Sequence, residues 1–307
     1  MPLLEVKNLS VSAKFKNITQ SLIHDLFFSI DAGKSLAIVG ESGCGKTMTA
    51  QALLDLLPEN CKATGNVYLN GNDLLDLSTK DRNSLRGKKI ILIPQSGYDS
   101  LNPVLKVKTH MYETLKRLGI KNRKQQYERS IELLNKAGLE DAVNVMELYP
   151  MALSGGMAQK VVFALGLAGD PDLVIADEPT RGSDEEGEEA YIKTLYTTFP
   201  NSAIIIITHS LSVAHKCDSV LIMHSGLLME YGNSKDIFSN VSHPYTRCLI
   251  NALPENNLKV PLINDYIDNN GCPCYNLCTI STENCKLNIP PLLLKNGVYR
   301  RCFHVND

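Results

Sequence analysis

The feature that most constrains the fold of this chain is the octapeptide GESGCGKT at residues 40–47. The apolar run SLAIV stands before it and apolar residues at helical spacing follow it, so the pattern predicts a strand, a glycine-rich turn and a helix. Glycines in such a turn let backbone N–H groups approach an anion, and the helix N-terminus adds partial positive charge. The octapeptide therefore predicts a nucleotide phosphate site in an α/β fold. A glycine-rich turn without function is the alternative.

Each residue of this phosphate loop has an expected role. Lys46 is predicted to reach the β- and γ-phosphates, and the Thr47 hydroxyl is predicted to coordinate Mg²⁺. The other residues are expected to surround the phosphates, and they are Gly40, Glu41, Ser42, Gly43, Cys44 and Gly45. No chemical demand explains the thiol of Cys44, which we interpret as incidental.

A second stretch, DLVIADEP at residues 172–179, is an apolar strand that ends in two acids. The carboxyl end of a strand is where α/β folds bind ligands. Asp177 is predicted to hold Mg²⁺ through its hydration shell, and Glu178 is predicted to polarise the attacking water as a general base. A strand that ends in two acids is common on its own. Together with the phosphate loop, it predicts a site for ATP and Mg²⁺.

The remaining pattern alternates between strands and helices, as in a parallel sheet with both faces covered. Residues 3–12 and 26–40 are predicted strands, and hairpins are predicted to turn at Asn70-Gly71 and at Ser225-Gly226. Strand patterns disappear after about residue 107, where lysine- and glutamate-rich helical periodicity begins. We predict an inserted helical subdomain over about residues 107–165.

Beyond Pro254 the pattern predicts no regular element longer than a turn. We therefore predict a nucleotide-binding domain over residues 1–254 and a small cysteine-rich C-terminal extension over residues 255–307. A chain of 307 residues is long enough for one large α/β domain with such an appendage.

Composition and hydropathy exclude several classes of protein. The formal net charge is −2, so a strongly basic face is not expected and nucleic acid is not a predicted partner. The N-terminus lacks the pattern of a secretory signal, and no apolar run approaches the roughly 18–20 residues that span a membrane. These features predict a soluble chain of the cytosol.

Three further motifs narrow the class. LSGGM at residues 153–157 resembles the signature motif of ABC-type ATPases, Gln95 in LIPQS matches their Q-loop, and His209 in IIITHS matches their switch histidine. Ser154, Gly155 and Gly156 open a predicted helix, whose N-terminus favours anions. With the phosphate loop and the acidic strand end, five motifs follow in the order of this family over residues 3 to about 250. The chain is identified as resembling an ABC nucleotide-binding domain.

This resemblance implies roles for the three motifs. The signature motif closes over the γ-phosphate bound to an opposite subunit, so hydrolysis implies a dimer. Gln95 would sense Mg²⁺ and the attacking water and link the site to membrane subunits, and His209 would contact the γ-phosphate. One competing hypothesis is a soluble ABC ATPase of translation or DNA repair, which would carry two such domains or a long coiled coil. The sequence contains neither.

The segments SLNPVLKV and HPYTRCLINALP, the second at residues 243–254, are similar to the ATPases of peptide and nickel ABC importers. The resemblance implies a peripheral protein at the cytoplasmic face of the membrane. It also implies a second ATPase subunit, usually a different paralogous chain, two integral membrane permease subunits and an extracytoplasmic solute-binding protein. The solute remains open among dipeptides, oligopeptides, nickel and a nickel chelate.

The chain departs from the family at two places. In the D-loop region TRGSDEE only Asp184 is retained, with Gly182 and Ser183 before it, so the coupling and equal activity of two ATP sites are in question. The aromatic residue that stacks on adenine usually follows the sequence LSV by a few residues. Here that position is Ala13, and Phe15 is the candidate for adenine stacking, with packing in the sheet as the alternative.

Five of the nine cysteines of the chain lie near its C-terminal end, at Cys272, Cys274, Cys278, Cys285 and Cys302. A reducing cytosol argues against disulfides. The spacing is similar to that in the tails of dipeptide-type importer ATPases, which implies a [4Fe–4S] cluster on Cys272, Cys278, Cys285 and Cys302. Four thiolates also suit zinc, and reduced thiols without a ligand are a third interpretation. Cys274 is then a spare residue, or it replaces Cys272 or Cys278.

We expect a structural role for this cysteine group, because the segment is too poor in apolar residues to form a core unaided. The competing hypothesis is a metal-binding module in which the cysteine tail does the chemistry and ATP is regulatory.

Overall fold

The computed structural model describes residues 1–16, 18–180, 184–239, 241–252 and 271–304, which fall into two compact units. The first unit consists of Met1–Asp76 and Ile207–Asp307, and it contains the phosphate loop. The second unit is Leu77–Ile206, and it contains the acidic strand end, the Q-loop and the signature motif. The candidate nucleotide residues are therefore divided between two units of the fold.

The strands of the described residues are, in chain order, β1 (Leu4–Phe15), β2 (Ile18–Ile30), β3 (Ser35–Val39), β4 (Cys61–Leu69), β5 (Asn72–Asp73), β6 (Ile90–Ile93), β7 (Leu173–Asp177), β8 (Ala203–Thr208), β9 (Ser219–His224), β10 (Leu227–Asn233), β11 (Leu292–Lys295) and β12 (Val298–Arg301).

The helices of the same residues are α1 (Lys46–Leu53), α2 (Thr79–Leu85), α3 (Val107–Arg117), α4 (Arg123–Lys136), α5 (Ala142–Glu147), α6 (Gly155–Gly166), α7 (Glu185–Thr198), α8 (Leu211–Lys216), α9 (Ser234–Ser239), α10 (Pro244–Asn251) and α11 (Glu283–Leu287). Two short 3₁₀ turns are found at Pro150–Ala152 and Tyr275–Leu277. No helix among the residues described is long and apolar enough to cross a membrane.

In the first unit the strand order is β5-β4-β1-β2-β10-β9-β3. β1 is antiparallel to both β2 and β4, whereas β3 is parallel to β9, with Leu36 opposite Ser219 and Val39 opposite Ile222. Every residue of β3 is buried, as expected for a parallel strand that is covered on both faces. This buried strand fixes the position of Gly40, where the phosphate loop begins.

The predicted strand over residues 26–40 is two strands in the structure. β2 ends at Ile30 and β3 begins at Ser35, and Gly33 between them has a φ of 70°. Glycine accepts this left-handed conformation at little cost, so the chain can turn here. The sequence pattern missed the turn because apolar residues continue on both sides of it.

In the second unit β6, β7 and the first four residues of β8 follow the order β8-β7-β6, and β6 is parallel to β7, with Ile93 opposite Ala176. The helices α3 to α6 then follow over residues 107–166 without an intervening strand, which confirms the predicted helical character. α3 buries Val107, Met111 and Leu115, which are spaced four residues apart and therefore lie on one face.

Both predicted hairpin turns are confirmed. Asn70 and Gly71 have φ values of 50° and 79°, and Ser225 and Gly226 have φ values of 47° and 75°. Two consecutive residues with positive φ are typical of type I′ turns, which match the twist of paired strands. The second turn joins β9 to β10 within the first unit.

The expectation of no regular element beyond Pro254 is wrong for the last described residues. β11 and β12 form an antiparallel hairpin, and β12 pairs with β10, where Glu230 lies opposite Arg300 and Tyr231 lies opposite Tyr299. The proposed boundary at residue 254 lies within residues 253–270, which are outside the described part of the chain, and it stays a prediction.

Candidate functional site

The backbone of the phosphate loop has the conformation that a phosphate cradle requires. Gly43 has a φ of 82° and Gly45 has a φ of 109°, which are left-handed values that a residue with a side chain rarely adopts. Gly45 is the N-cap residue of α1, and it has no side chain that could cap the helix. The first amides of α1 are therefore free of competition from a capping side chain and suit an anion.

Lys46 places its positive charge inside this loop. Its Nζ donates to the carbonyl oxygen of Gly40 at 2.7 Å and to that of Glu41 at 2.9 Å, and the side chain is only 5% exposed. The next residue, Thr47, is exposed, so its hydroxyl is accessible to a metal ion. The loop thus has the amides, cation and hydroxyl that fit ATP with Mg²⁺.

Residues outside the motif shape the loop. A Cβ atom at Gly40 would lie 2.3 Å from the carbonyl oxygen of Met223 and 2.7 Å from Cys44 Sγ. The amide of Gly226 donates to the carbonyl oxygen of Cys44 at 3.0 Å. Cys44 is buried, and its burial raises the pKa of the thiol, so it packs as a neutral side chain against Gly40. No pattern in the sequence indicated this packing role.

In the second unit the acidic residues follow β7 and the glutamine follows β6. Because these strands are parallel neighbours, their carboxyl ends meet at one edge. There Gln95 Nε2 donates to Glu178 Oε2 at 3.0 Å, and Asp177 is 5% exposed. Glu178 has a φ of 43°, a left-handed value that costs energy for glutamate and is one kind of strain that clusters at active sites. The structure thus brings Gln95 and Glu178 together.

The signature motif forms the N-terminus of α6. Ser154 is the N-cap residue, and its hydroxyl accepts from the amide of Met157 at 3.2 Å. Gly155 and Gly156 follow it, and all three residues are exposed. The N-terminus of α6 is therefore an open surface of the second unit.

Sequence reasoning missed two residues that support these motifs. The hydroxyl of Tyr98 donates to the carbonyl oxygen of Leu153 at 2.5 Å, immediately before the signature motif. Gln159 Nε2 donates to the carbonyl oxygen of Gln95 at 3.4 Å. Neither contact had a signal in the sequence, because each joins segments about sixty residues apart.

The remaining candidates occupy exposed positions. His209 follows β8 directly and is exposed. Phe15 ends β1, lies opposite Ile18 and is 52% exposed, so its side chain is not buried in the sheet. Asp184 caps α7 and accepts from the amide of Gly187 at 2.9 Å, whereas Gly182 and Ser183 lie outside the described residues.

The cysteines of the C-terminal segment line one small cavity in the first unit, and these cysteines are Cys272, Cys274, Cys278, Cys285 and Cys302. His304 joins them, with its Nε2 3.8 Å from Cys285 Sγ. However, no group of three or more His, Cys, Asp or Glu among the described residues could hold a metal ion. The predicted ligands are thus gathered, but the structure does not support the predicted [4Fe–4S] cluster.

The thiols of this group differ in acidity. A hydrogen bond with Cys274 lowers the pKa of Cys272 to about 7, and the pKa of Cys274 is raised well above its usual value by the same bond and by burial. Burial also raises the pKa of Cys278 and of Cys302. Without a cation, most of these thiols are therefore neutral near pH 7.

Solved structures with a similar fold are ATP-binding cassettes. One, described as the structure of an ATP-binding subunit of an ABC transporter, has a TM-score of 0.63 at 27% identity and covers 77% of this chain and 92% of that chain. The cassette MJ0796, solved as a dimer with ADP and phosphate, has a TM-score of 0.68 and covers 75% of this chain and 98% of that chain. At 24% identity the second match shows the fold alone.

Sequence relatives extend over almost the whole chain. An oligopeptide transport ATP-binding protein, OppD, of Salmonella typhimurium is 37% identical over 98% of this chain and 93% of the relative. A dipeptide transport ATP-binding protein, DppD, of Escherichia coli is 32% identical over 100% of this chain and 98% of the relative.

Two family models match separate parts of the sequence. The ABC transporter model matches residues 23–181, which include the phosphate loop, the signature motif and the acidic strand end. The model of the oligopeptide/dipeptide transporter C-terminal region matches residues 229–285. The chain therefore belongs to the ABC transporter family, as an ATP-hydrolysing subunit that carries the C-terminal region of its oligopeptide and dipeptide transporters.

Proposed function

We propose that this chain is the ATPase subunit of an importer that takes up dipeptides or oligopeptides through separate membrane subunits. The observation that carries the proposal is the order of two family matches in one chain. An ABC ATPase region at residues 23–181 is followed by the C-terminal region of oligopeptide and dipeptide transporters at residues 229–285. Relatives that match nearly the full chain are named for the transport of these same solutes.

Each unit contributes its own part of the ATPase chemistry. In the first unit the phosphate loop binds the phosphates, Lys46 neutralises their charge, and His209 contacts the γ-phosphate. Thr47 is the magnesium ligand of this unit. Mg²⁺ supplies charge neutralisation at the β- and γ-phosphates.

In the second unit Glu178 acts as the general base toward water, and Asp177 acts on the hydration shell of Mg²⁺. Gln95 is the proposed magnesium ligand of this unit, and its hydrogen bond at 3.0 Å also orients the carboxylate of Glu178. A general base must lie within hydrogen-bonding reach of the proton that it accepts, so an oriented carboxylate favours the reaction. Phe15 is the proposed stacking partner of adenine.

The exposed end of α6 supports an assembly of two ATPase subunits. Ser154, Gly155 and Gly156 are proposed to contact the γ-phosphate that a second, paralogous ATPase chain holds. Two permease subunits and an extracytoplasmic solute-binding protein complete the proposed assembly, with this chain peripheral at the cytoplasmic face of the membrane. A net charge of −2 gives no support to a nucleic acid partner.

The solute is tested with the assembled importer in proteoliposomes. We expect ATP-dependent uptake of labelled dipeptides or oligopeptides, and loss of this uptake when Glu178 is replaced by glutamine. Radioactive nickel, free or chelated, serves as the competing solute. Uptake of nickel alone would replace the peptide assignment. Failure of the chain to copurify with integral membrane subunits from its own cells would contradict the importer and favour a soluble ABC ATPase.

Residues 255–307 are proposed to form the small cysteine-rich extension. We propose that a [4Fe–4S] cluster is bound by Cys272, Cys278, Cys285 and Cys302. Zinc is the alternative, and Cys274 is the spare thiol. The support is the donor set alone, since these sulfurs line one cavity. In a cubane cluster each thiolate binds a different iron atom, so the four sulfurs need not converge on a single ion.

The test is anaerobic purification of the full chain followed by elemental analysis. A cluster predicts about four iron atoms per chain and a brown protein. Zinc without iron would support the alternative. Protein with neither metal would refute both proposals and leave reduced thiols. Loss of ATPase activity on removal of a bound metal would favour a regulatory role of that metal.

A further inference from the structure

The segment HPYT at residues 243–246, which begins α10, connects the phosphate loop to the C-terminal strands within the first unit. His243 is 3% exposed, and Tyr245 and Thr246 are 0% exposed. Pro244 stands at the first position of the helix, where its missing N–H costs nothing. Three buried side chains with polar groups need hydrogen-bond partners, and these partners show what the segment holds together.

Tyr245 extends from α10 to the phosphate loop. Its hydroxyl oxygen accepts from the backbone amide of Glu41 at 3.4 Å. Its ring lies 4.4 Å from the ring of His224, at an interplanar angle of 33°. His224 ends β9, next to Met223, whose carbonyl oxygen leaves no room for a Cβ atom at Gly40. The end of β9 and Tyr245 therefore support the same peptide of the loop.

The other residues of the segment hold Tyr245 in place. His243 Nδ1 accepts from the amide of Tyr245 at 3.1 Å, so its Nε2 carries the proton and donates to the carbonyl oxygen of Arg301 at 3.1 Å. Thr246 donates from its hydroxyl to the buried carboxylate of Glu230. Arg300 Nε donates to the other oxygen of this carboxylate at 2.8 Å. A buried, paired carboxylate is rigid because each displacement would leave a charge without its partner.

These contacts position one peptide of the loop. Burial raises the pKa of the Tyr245 hydroxyl, so the group stays neutral, and its oxygen accepts from the amide of Glu41. The amide of Glu41 follows Gly40 directly and is bound to this hydroxyl, whereas the amides farther along the loop are the ones that face a phosphate. Because the first peptide of the loop is held in place, the direction of the amides that follow it is set.

We propose that Tyr245 is a positioning residue of the phosphate loop, which holds the Gly40–Glu41 peptide through its hydroxyl and thereby sets the affinity for ATP. Within the motif Lys46 holds the carbonyl oxygen of this peptide, whereas its amide is held by a residue about two hundred positions away. The inference rests on the ATPase activity of the chain. ATP binding by the unchanged protein is therefore measured first, and its absence would refute the ATPase rather than this role.

The direct test is Tyr245→Phe in the full chain, which removes the hydroxyl and leaves the ring. We expect the affinity for ATP and ADP to fall about two- to tenfold, the effect of one hydrogen bond. In the assembled ATPase the KM for ATP should rise by the same factor while kcat stays unchanged. A variant that only folds less well would instead lose kcat at an unchanged KM.

Tyr231→Phe is the matched control, because it removes a tyrosine hydroxyl in the same unit but away from the loop. That hydroxyl accepts from the amide of Ser29 and donates to its carbonyl oxygen, both at 3.0 Å. We expect this control to lower stability without a change in ATP affinity. An equal loss of affinity in both variants, or an affinity unchanged in Tyr245→Phe, would overturn the proposal.

A second measurement needs no variant. Hydrogen exchange in the unchanged chain without nucleotide should show the amide of Glu41 protected relative to the amides of Ser42 and Gly43. If Glu41 exchanges as fast as these two exposed neighbours, its hydrogen bond to Tyr245 is not maintained and the role is refuted.

Discussion

Two glycine-rich helix N-termini, at α1 and at α6, differ in how the chain completes them. At α1 the cap residue is Gly45 with a φ of 109°, and Lys46 Nζ lies 2.7 Å from the carbonyl oxygen of Gly40. At α6 the cap residue is Ser154 with a φ of −73°, and its own hydroxyl accepts from the amide of Met157. Gly155 is exposed there and lies outside the left-handed region.

This difference indicates what completes each of the two helix N-termini. The phosphate loop is supported within its own unit, by Met223, Gly226 and Tyr245. The signature helix has its capping bond and then an open surface. We expect the single chain to bind nucleotide, and the proposed assembly predicts that hydrolysis requires the open surface of another subunit.

The largest expected effect separates binding from hydrolysis. Glu178→Gln keeps the size of the side chain and a hydrogen bond to Gln95, but it removes the base. We expect ATP to bind with unchanged affinity and turnover of the assembled complex to fall about 10²–10⁴-fold. Steady-state phosphate release and equilibrium ATP binding are measured on the same preparation.

This experiment needs a control for the other ATPase chain, because its site could carry most of the turnover. The corresponding glutamate of that chain is replaced as well, alone and together with Glu178→Gln. Full turnover in the double variant would contradict the role of Glu178 as base.

The next effect tests the comparison itself with two alanine substitutions. At Gly40 a Cβ atom would lie 2.3 Å from a backbone oxygen, so Gly40→Ala must displace the loop. Strain of about 1–3 kcal/mol is typical of such overpacking and corresponds to a loss of roughly 5- to 150-fold in ATP affinity. ATP binding by the isolated chain is the measurement.

Gly156→Ala is the matched variant, since a Cβ atom added at Gly156 would have no neighbour within 4 Å among the described residues. We expect it to leave ATP affinity of the isolated chain unchanged and to lower turnover only in the assembled complex. If Gly156→Ala weakens ATP binding by the single chain, the two helix N-termini are not as independent as their geometry indicates.

The smallest effect concerns pH and the support of the phosphate loop. Burial is the largest influence on His243 and lowers its pKa below the usual 6.5, although Glu230 opposes this shift, and Arg300 and His224 add to it. As pH decreases, His243 therefore takes up a proton in the unfolded chain before it does so in the folded chain. Stability falls as pH decreases below about 6.5 toward the lower folded pKa. Above that range the contribution of His243 is constant.

The free energy of unfolding of the full chain, measured between about pH 7.5 and about pH 5.5, tests this dependence. His243→Asn retains an N-cap acceptor but cannot be protonated, so its stability should fall less steeply on acidification. Equal slopes for the variant and the unchanged chain would show that His243 does not contribute.

Local features were predictable from the sequence because their causes are local. The positive φ values at Asn70-Gly71 and Ser225-Gly226 follow from residues that tolerate left-handed backbone, and the helices over residues 107–166 follow from apolar periodicity. The phosphate loop was predictable for the same reason, since eight consecutive residues contain its glycines, lysine and threonine.

Only the tertiary structure decided how distant segments meet. The pairing of β12 with β10, the bond from Gln95 to Glu178 and the contact of Tyr245 with the loop join residues 70, 83 and 204 positions apart. Such contacts depend on strand order and on the burial of whole elements, which no short stretch encodes. By itself the sequence determined that the chain has a phosphate loop and which residues form it. The packing of a distant helix decided what holds that loop in shape, because a buried peptide takes its partner from whichever segment the fold brings beside it.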